Sequence, residues 1–133
     1  MKALKYIGIL LAAYIALVVL FESAIGYLQP QSQATLVITT TDASGAARQR
    51  VVSRLDSAGH IYVAANHWPR AWYNEVLQHP DVQVTQAGKT AAYRAVPVTA
   101  QEHDRVDSEH ALGPGIRILT GFPPRRFVRL DPV

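Results

Sequence analysis

The chain of 133 residues contains no cysteine, and this absence excludes disulfide bonds, thiolate zinc sites and a cysteine nucleophile. It also lacks a Gly-x-Gly-x-x-Gly or Walker sequence, which excludes a Rossmann or P-loop nucleotide site. The Gly-x-Ser-x-Gly elbow of serine hydrolases is missing too. Apolar residues make up 49% of the chain and charged residues 17%, so we expect one domain with a buried core rather than a disordered chain.

The net charge of +3 is small once it is divided by region. Lys2, Lys5 and Glu22 give the N-terminal segment a charge of +1, which leaves +2 for the residues beyond Leu28. Such a mildly basic domain lacks the footprint of nucleic-acid binding, so we expect no nucleic-acid partner. Ten of its eleven cationic residues are arginine, which suits bidentate contact with phosphate or carboxylate.

An uncharged apolar run from Tyr6 to Phe21 predicts a single N-terminal transmembrane helix. Its 16 residues span about 24 Å as a helix, somewhat less than the ~30 Å of a hydrocarbon core. Snorkelling of Lys5 and the mostly apolar residues 24–28 lengthen the stretch. We therefore expect residues 6–28 to contact the lipid bilayer.

The alternative is a cleaved signal peptide, because Ala24-x-Gly26 offers the small residues of a cleavage site. We favour an uncleaved anchor over residues 1–28, a polar linker over 29–34 and one domain over 35–133. The lysines on the N-terminal side predict that this domain lies outside the cytoplasm.

The rest of the chain alternates between β-branched runs and tight turns, a pattern that predicts antiparallel strands. Thr99-x-x-Glu102 is a capping box that begins a helix, and residues 116–119 fit either a helical turn or an extended piece. Six strands and two short helices favour a mainly β, α+β domain or small β-barrel. The predicted strands are 34–41, 48–56, 60–65, 82–86, 90–98 and 125–130, and the helices are 71–78 and 99–112.

Arg48, Arg50, Val52 and Arg54 share one face of the second strand, because side chains alternate with period two. Three guanidinium groups along about 20 Å have the reach of an extended phosphorylated cofactor tail. The alternative, which we favour without further context, is a solvated outer sheet face.

The loop from Asn66 to Arg70 and the helix after it contain both tryptophans of the chain, Trp68 and Trp72. Flat rings stack on flat ligands, and His67 adds an imidazole, so a ligand site is one interpretation of this loop. In the other, the helix simply packs an apolar face into the barrel. The two are compatible.

The last long helix carries four potential metal ligands on neighbouring turns, but they do not form a His-Glu-x-x-His pattern. We therefore expect a solvated helix face and no metal site. The four residues are Glu102, His103, Asp107 and His110.

Three blocks, taken in order, are typical of one protein family. They are Thr39-Thr40-Thr41-Asp42-x-Ser44-Gly45-x-x-Arg48, Ile61-Tyr62-Val63-Ala64 and Ala71-Trp72-Tyr73-Asn74-Glu75-Val76-Leu77-Gln78-His79-Pro80-Asp81-Val82-Gln83-Val84. The sequence resembles the deazaflavin-dependent nitroreductases, the nitroreductase/quinone reductase family with the flavin-binding split-barrel fold. The resemblance implies a small six-stranded antiparallel split β-barrel.

The resemblance also implies coenzyme F420, whose reduced deazaflavin ring delivers a hydride to a quinone or nitro compound. In the family the cofactor tail lies at the Ser-Gly turn and the strand after it, and the ring lies near the Trp-Tyr helix. We take His67 and Tyr73 as candidate catalytic proton donors. With the residues named above, the expected cofactor-binding set is Ser44, Gly45, Arg48, Arg50, Ala65, Asn66, Trp68, Arg70, Trp72 and Tyr73.

Asp42-Ala43 stands where the family has a basic pair, so two tail-binding cations are missing. This departure keeps two alternatives open. One is FMN, whose single phosphate needs fewer cations. The other is a non-catalytic protein that holds flavin, haem or a lipophilic ligand in the barrel mouth.

Overall fold

The computed structural model describes residues 1–28, 34–65, 71–122 and 124–133. The six strands match the predicted ones to within two residues at each end. The elements are α1 (Lys2–Leu28), β1 (Thr35–Thr41), β2 (Ala47–Ser57), β3 (His60–Ala65), α2 (Ala71–Gln78), β4 (Asp81–Gln86), β5 (Lys89–Pro97), α3 (Ala100–Glu109), α4 (Pro114–Leu119) and β6 (Arg126–Pro132).

The strands form a closed antiparallel barrel in the order β1-β2-β3-β6-β5-β4, which confirms the predicted fold class. β4 returns to β1, where Ile38 lies opposite Val84, and β6 lies between β3 and β5. The β1–β4 ladder reaches only Thr39, whereas the β1–β2 ladder continues to Thr41 opposite Ala47. The β1–β2 hairpin therefore projects beyond the closed part of the barrel.

The barrel interior is filled by the inward residues of every strand and by one face of α2. Along β1, Leu36 and Ile38 are buried while their neighbours are partly exposed, as period-two alternation requires. α2 adds Trp72 and Val76 to the same cluster, so this helix is anchored by apolar burial. A second cluster on the outside of β3 and β6 packs against Val106 of α3.

α3 is held on the barrel by a polar network as well as by apolar packing. Glu102 accepts hydrogen bonds from the Tyr62 hydroxyl and from Arg129 Nη1, both at 2.9 Å. Arg105 donates to the Tyr62 hydroxyl at 2.8 Å and to Ser57 Oγ at 3.0 Å. Glu102 also completes the predicted capping box at the start of the helix.

Other polar residues of α3 bind the barrel too, so the expected solvated face is wrong. Asp107 pairs with Arg125 at 2.7 Å, and His103 Nε2 lies 3.0 Å from the Arg125 carbonyl oxygen. His110 Nε2 lies 3.0 Å from the Asp56 carbonyl oxygen. The helix ends at Glu109, three residues before the predicted end, and Arg125 donates to the carbonyl of His110 at 2.8 Å.

α1 is long and apolar enough over Lys2–Ala24 to cross a membrane. Between residues 1 and 24 its side chains are exposed except for a stripe on one face. One member of this stripe, Tyr14, donates its hydroxyl to the Ile118 carbonyl of α4 at 2.9 Å. The stripe comprises Tyr14, Val18, Phe21 and Glu22.

The charge of Glu102 contributes to the docking of α3. Burial by itself would raise the pKa of Glu102, but hydrogen bonds from Tyr62, Arg129 and the Thr99 N–H outweigh it and lower the pKa from 4.5 to about 2. Because the folded-state pKa lies below the ordinary value, the ionised carboxylate stabilises the fold above about pH 4.5. That stabilisation is lost as the pH falls through about 2.

We predict that Glu102→Gln lowers the free energy of unfolding at pH 7 by about 2–3 kcal/mol, because Arg129 and Tyr62 lose their charged partner. The difference from the wild type should shrink steadily below about pH 4.5. Urea unfolding of the detergent-solubilised chain at several pH values measures both effects. The control is Glu109→Gln, an exposed residue of the same helix. Equal stability of the two variants at pH 7 would contradict the prediction.

Candidate functional site

The turn between β1 and β2 is built around the carboxylate of Asp42. Its Oδ1 accepts hydrogen bonds from the Ser44 N–H at 2.9 Å, the Ser44 hydroxyl at 2.6 Å and the Ala46 N–H at 3.0 Å. Gly45 donates its N–H to the Asp42 carbonyl at 3.0 Å and has a φ of +84°, which favours glycine. The Ser44 hydroxyl, followed by the Ala46 N–H, lowers the pKa of Asp42, so this residue is an anion at neutral pH.

A second carboxylate, Glu75, ties α2 to the same turn. Thr40, which is 2% exposed at an inward position of β1, donates its hydroxyl to Glu75 Oε2 at 2.6 Å. Glu75 Oε1 lies 3.6 Å from Nη1 of Arg48, and Asp42 Oδ2 lies 3.4 Å from its Nε. Arg48 thus lies between two carboxylates, and this group of three carries a net charge of −1.

A cavity of about 410 Å³ opens between the turn and α2. It brings together two features of the sequence, the arginine-bearing strand and the helix that follows the aromatic loop. Seven of its eight lining residues carry polar side chains, but polar and apolar atoms contribute about equally to the lining surface. The lining residues are Thr41, Asp42, Ala43, Ser44, Arg48, Asn74, Glu75 and Gln78.

The three arginines of β2 lie on the side of the strand that faces the barrel interior, so the predicted outer position is wrong, although Arg48 and Arg50 are solvent-exposed as that interpretation expected. Val52, on the same side, is 4% exposed in the core. Arg50 pairs in register with the fully buried Ile38. Arg48 and Arg50 reach solvent because the hairpin continues past the closed part of the barrel.

The arginines differ in how far they are already paired. Arg54 binds Asp56 at 2.9 Å and also contacts the side chain of Gln86. Arg50 is exposed and forms no ion pair within the described part of the chain. Of the three guanidinium groups, that of Arg50 is the one available to an anionic ligand.

The aromatic part of α2 faces mainly inward. Trp72 is 8% exposed and packs with Val76 in the barrel core, and Ala65 at the end of β3 is 2% exposed. Tyr73 is half-buried and meets Trp72 edge-on, with ring centroids 6.1 Å apart. Arg126 lies 5.9 Å from the centre of the Tyr73 ring. Trp72 and Ala65 are therefore core residues with little surface left for a ligand. Tyr73 is the partly accessible aromatic residue of this helix.

Four of the predicted site residues, Asn66, His67, Trp68 and Arg70, lie outside the described residues, and their roles stay predictions. Among the residues that the structure does describe, no three histidine or acidic side chains come together as a metal site.

The acidic and amide residues that shape the cavity were not among the predicted site residues. One signal was present, because β1 places a hydroxyl at Thr40 where the alternation of Leu36 and Ile38 calls for an apolar residue. An inward hydroxyl needs a partner, and Glu75 is that partner. The missed residues are Asp42, Asn74, Glu75 and Gln78.

The family profile described as F420H(2)-dependent quinone reductase matches residues 14–111, about three quarters of the chain. The chain belongs to this family. The match confirms the resemblance drawn from the sequence. No curated protein sequence matches the chain at a significant level.

Solved structures share the fold at low sequence identity. An F420H2-dependent reductase (FDR-A) is 19% identical with a TM-score of 0.54, and the match covers 74% of this chain and 95% of that one. The haem storage protein HutZ from Vibrio cholerae is 18% identical with a TM-score of 0.58, over 77% and 84% of the two chains. A pyridoxamine 5′-phosphate oxidase-related, FMN-binding protein from Nostoc punctiforme is 14% identical with a TM-score of 0.58, over 90% and 78%.

The turn does not fit the polyanionic tail of the family's cofactor in the way the resemblance implies. The Ser44 N–H and hydroxyl, which such a tail would need, already point at Asp42 Oδ1. A phosphate or carboxylate placed there would also meet Asp42 and Glu75 as like charges. Of the three β2 arginines, Arg50 is the one without an ion pair in the described part of the chain, so it fits an anion best.

Proposed function

We propose that the protein is a membrane-anchored oxidoreductase that passes a hydride from a reduced deazaflavin or flavin to a quinone or nitro acceptor. Membership of the F420H2-dependent quinone reductase family supports the redox chemistry. The observation that carries the proposal is the cavity that the β1–β2 turn and α2 line together. The bound cofactor would supply the hydride, and the protein would supply binding and orientation.

In this proposal the chain's own residues have separate roles in cofactor binding and in proton transfer. Arg50 holds the anionic group of the cofactor through a charge-assisted hydrogen bond. Ser44 and Gly45 shape the turn around Asp42, and Ser44 also lines the cavity. Tyr73 and His67 remain the candidate proton donors for the acceptor.

The anchor part of the proposal depends on α1, which is apolar enough to cross a membrane. A membrane location suits quinones, because lipophilic acceptors concentrate in the bilayer. Lys2 and Lys5 favour an orientation in which the barrel lies outside the cytoplasm.

We expect the full chain in lipid nanodiscs to oxidise reduced F420 in the presence of a soluble quinone. Arg50→Ala should weaken cofactor binding by about 1.5–3 kcal/mol, because one charge-assisted hydrogen bond is lost. The return of the visible absorbance of oxidised F420 measures turnover, and its titration measures affinity. Arg94→Ala, which removes an exposed arginine of β5, is the charge-matched control and should bind normally. If the chain oxidises neither reduced F420 nor reduced FMN, the enzyme proposal is contradicted.

Asp42→Asn should raise the affinity for F420 about fivefold, roughly 1 kcal/mol, because one like charge beside the tail is removed while the turn keeps its oxygen acceptor. Asp81→Asn is the matched control, since its carboxylate is exposed on β4 and paired with Arg94 at 3.5 Å. Fluorescence titration measures both variants. Unchanged or weaker binding in Asp42→Asn alone would show that Asp42 does not oppose the cofactor tail.

The second candidate is a binding protein without turnover that holds flavin, haem or another lipophilic ligand. The turn around Asp42 favours it, because the donors of that turn are already used. The likeness to HutZ, which is described as a haem storage protein, is compatible with it at the level of fold. A bound haem, seen as a strong Soret band in the purified chain, together with no oxidation of reduced F420 or FMN, would favour this candidate.

A further inference from the structure

α4 and the turn after it expose apolar side chains that the proposed oxidoreductase function does not use. Ile116 is 44% exposed, Ile118 is 49% exposed and Phe122 is 63% exposed. At 100° per residue the two isoleucines point to opposite sides of this short helix. A helix that is apolar on both sides is typical of a membrane segment or a protein core rather than of a water-exposed surface.

The C-terminal end of this segment has the internal hydrogen bonding that suits an apolar medium. α4 ends in a Schellman-type cap, in which the Phe122 N–H donates to the Arg117 carbonyl at 2.9 Å and the Gly121 N–H to the Ile118 carbonyl at 3.3 Å. The Thr120 hydroxyl donates to the Ile116 carbonyl at 2.8 Å. The carbonyls of Ile116, Arg117 and Ile118 therefore have donors without help from water.

α1 supplies a further donor to the same helix end. Tyr14 is the one residue between Tyr6 and Phe21 with a hydrogen-bonding side chain, and it donates to the Ile118 carbonyl at 2.9 Å. In hydrocarbon an unsatisfied hydroxyl costs several kcal/mol, so this bond matters most if both groups lie in the membrane.

Length gives an independent reason to place α4 in the membrane. The side chains of α1 that face the domain begin at Tyr14, so the part of the helix that stands free is Lys2–Ala13. These 12 residues span about 18 Å, far less than a ~30 Å hydrocarbon core. If α1 spans the bilayer, the part of the domain beside Tyr14 must enter the bilayer with it.

Backbone strain singles out the tip of this segment. Phe122 has a φ of +53°, a left-handed conformation that is costly for a bulky residue, and its ring is exposed. Burial of the ring among acyl chains would offset that cost. Arg117, exposed between the two isoleucines, is long enough to reach toward the lipid phosphates.

We propose that α4 and Phe122 insert among the phospholipid acyl chains beside α1, which seats the barrel directly on the membrane surface. The inference depends on the anchor part of the proposed function and not on its redox part. Tyr14 lies eight residues, about 12 Å, from Glu22 along the helix, so α4 would enter only one leaflet.

The test uses the absence of cysteine, which allows single labelled sites. Full chains with Ile118→Cys or Phe122→Cys, each carrying an environment-sensitive fluorophore, are placed in phosphatidylcholine vesicles whose acyl chains are brominated. Leu10→Cys on α1 is the control for membrane insertion, and Ala92→Cys on β5 is the control for aqueous exposure. We expect the labels at 118 and 122 to lose most of their fluorescence to brominated lipid, as the label at 10 does, and to resist iodide in the buffer.

Quenching of the labels at 118 and 122 by iodide, with the label at 10 quenched by lipid, would overturn the inference and leave the anchor intact. Protection from both quenchers would assign this surface to a second copy of the chain or another protein, which also overturns it. A label at 10 untouched by lipid would overturn the inference together with the anchor. The F420 oxidation assay is separate from all three outcomes, so the redox proposal is judged on its own.

Discussion

The arrangement at the barrel mouth depends on the short hydrogen bond from the Thr40 hydroxyl to Glu75. Thr40 is held inward by the alternation of β1, and the bond fixes α2 against the end of that strand. With one oxygen on Thr40, Glu75 turns the other toward Arg48, which also meets Asp42. The buried Thr40 hydroxyl thus links the two sides of the cavity, which are the β1–β2 turn and α2. Burial of Trp72 and Val76 supplies the apolar part of the same attachment.

The same interaction determines which ligands suit the cavity. Two carboxylates beside one guanidinium make this part of the site slightly acidic, and the donors of the turn are directed at Asp42. The chain has the barrel fold of its family, but the hydrogen-bond donors of its Ser-Gly turn bind the carboxylate of Asp42. Arg50, two residues further along the same face of β2, is the one of the three β2 arginines without an ion pair among the residues that the structure describes. This combination favours a cofactor with few anionic groups at the turn.

Local signals predicted most of the fold, because strand alternation, glycine turns and the Thr99–Glu102 capping box act over a few residues. They failed where tertiary contacts decide the outcome. The polar face of α3 looked solvated, yet Glu102 meets Tyr62 and Arg129, which are 40 and 27 residues away. The arginine face of β2 looked external, because sequence alone does not show which side of a strand the barrel encloses. Likewise, Glu75 has no motif of its own, and its role arises only when α2 lies against β1.

Amide hydrogen exchange on the full chain, with and without saturating F420 or FMN, tests most directly whether the turn and α2 form one cofactor site. We predict slower exchange on cofactor binding in two separate segments, residues 42–50 and residues 71–78, and unchanged exchange in the hairpin at residues 86–90. Slower exchange in only one of the two segments, or only elsewhere on the barrel, would contradict it.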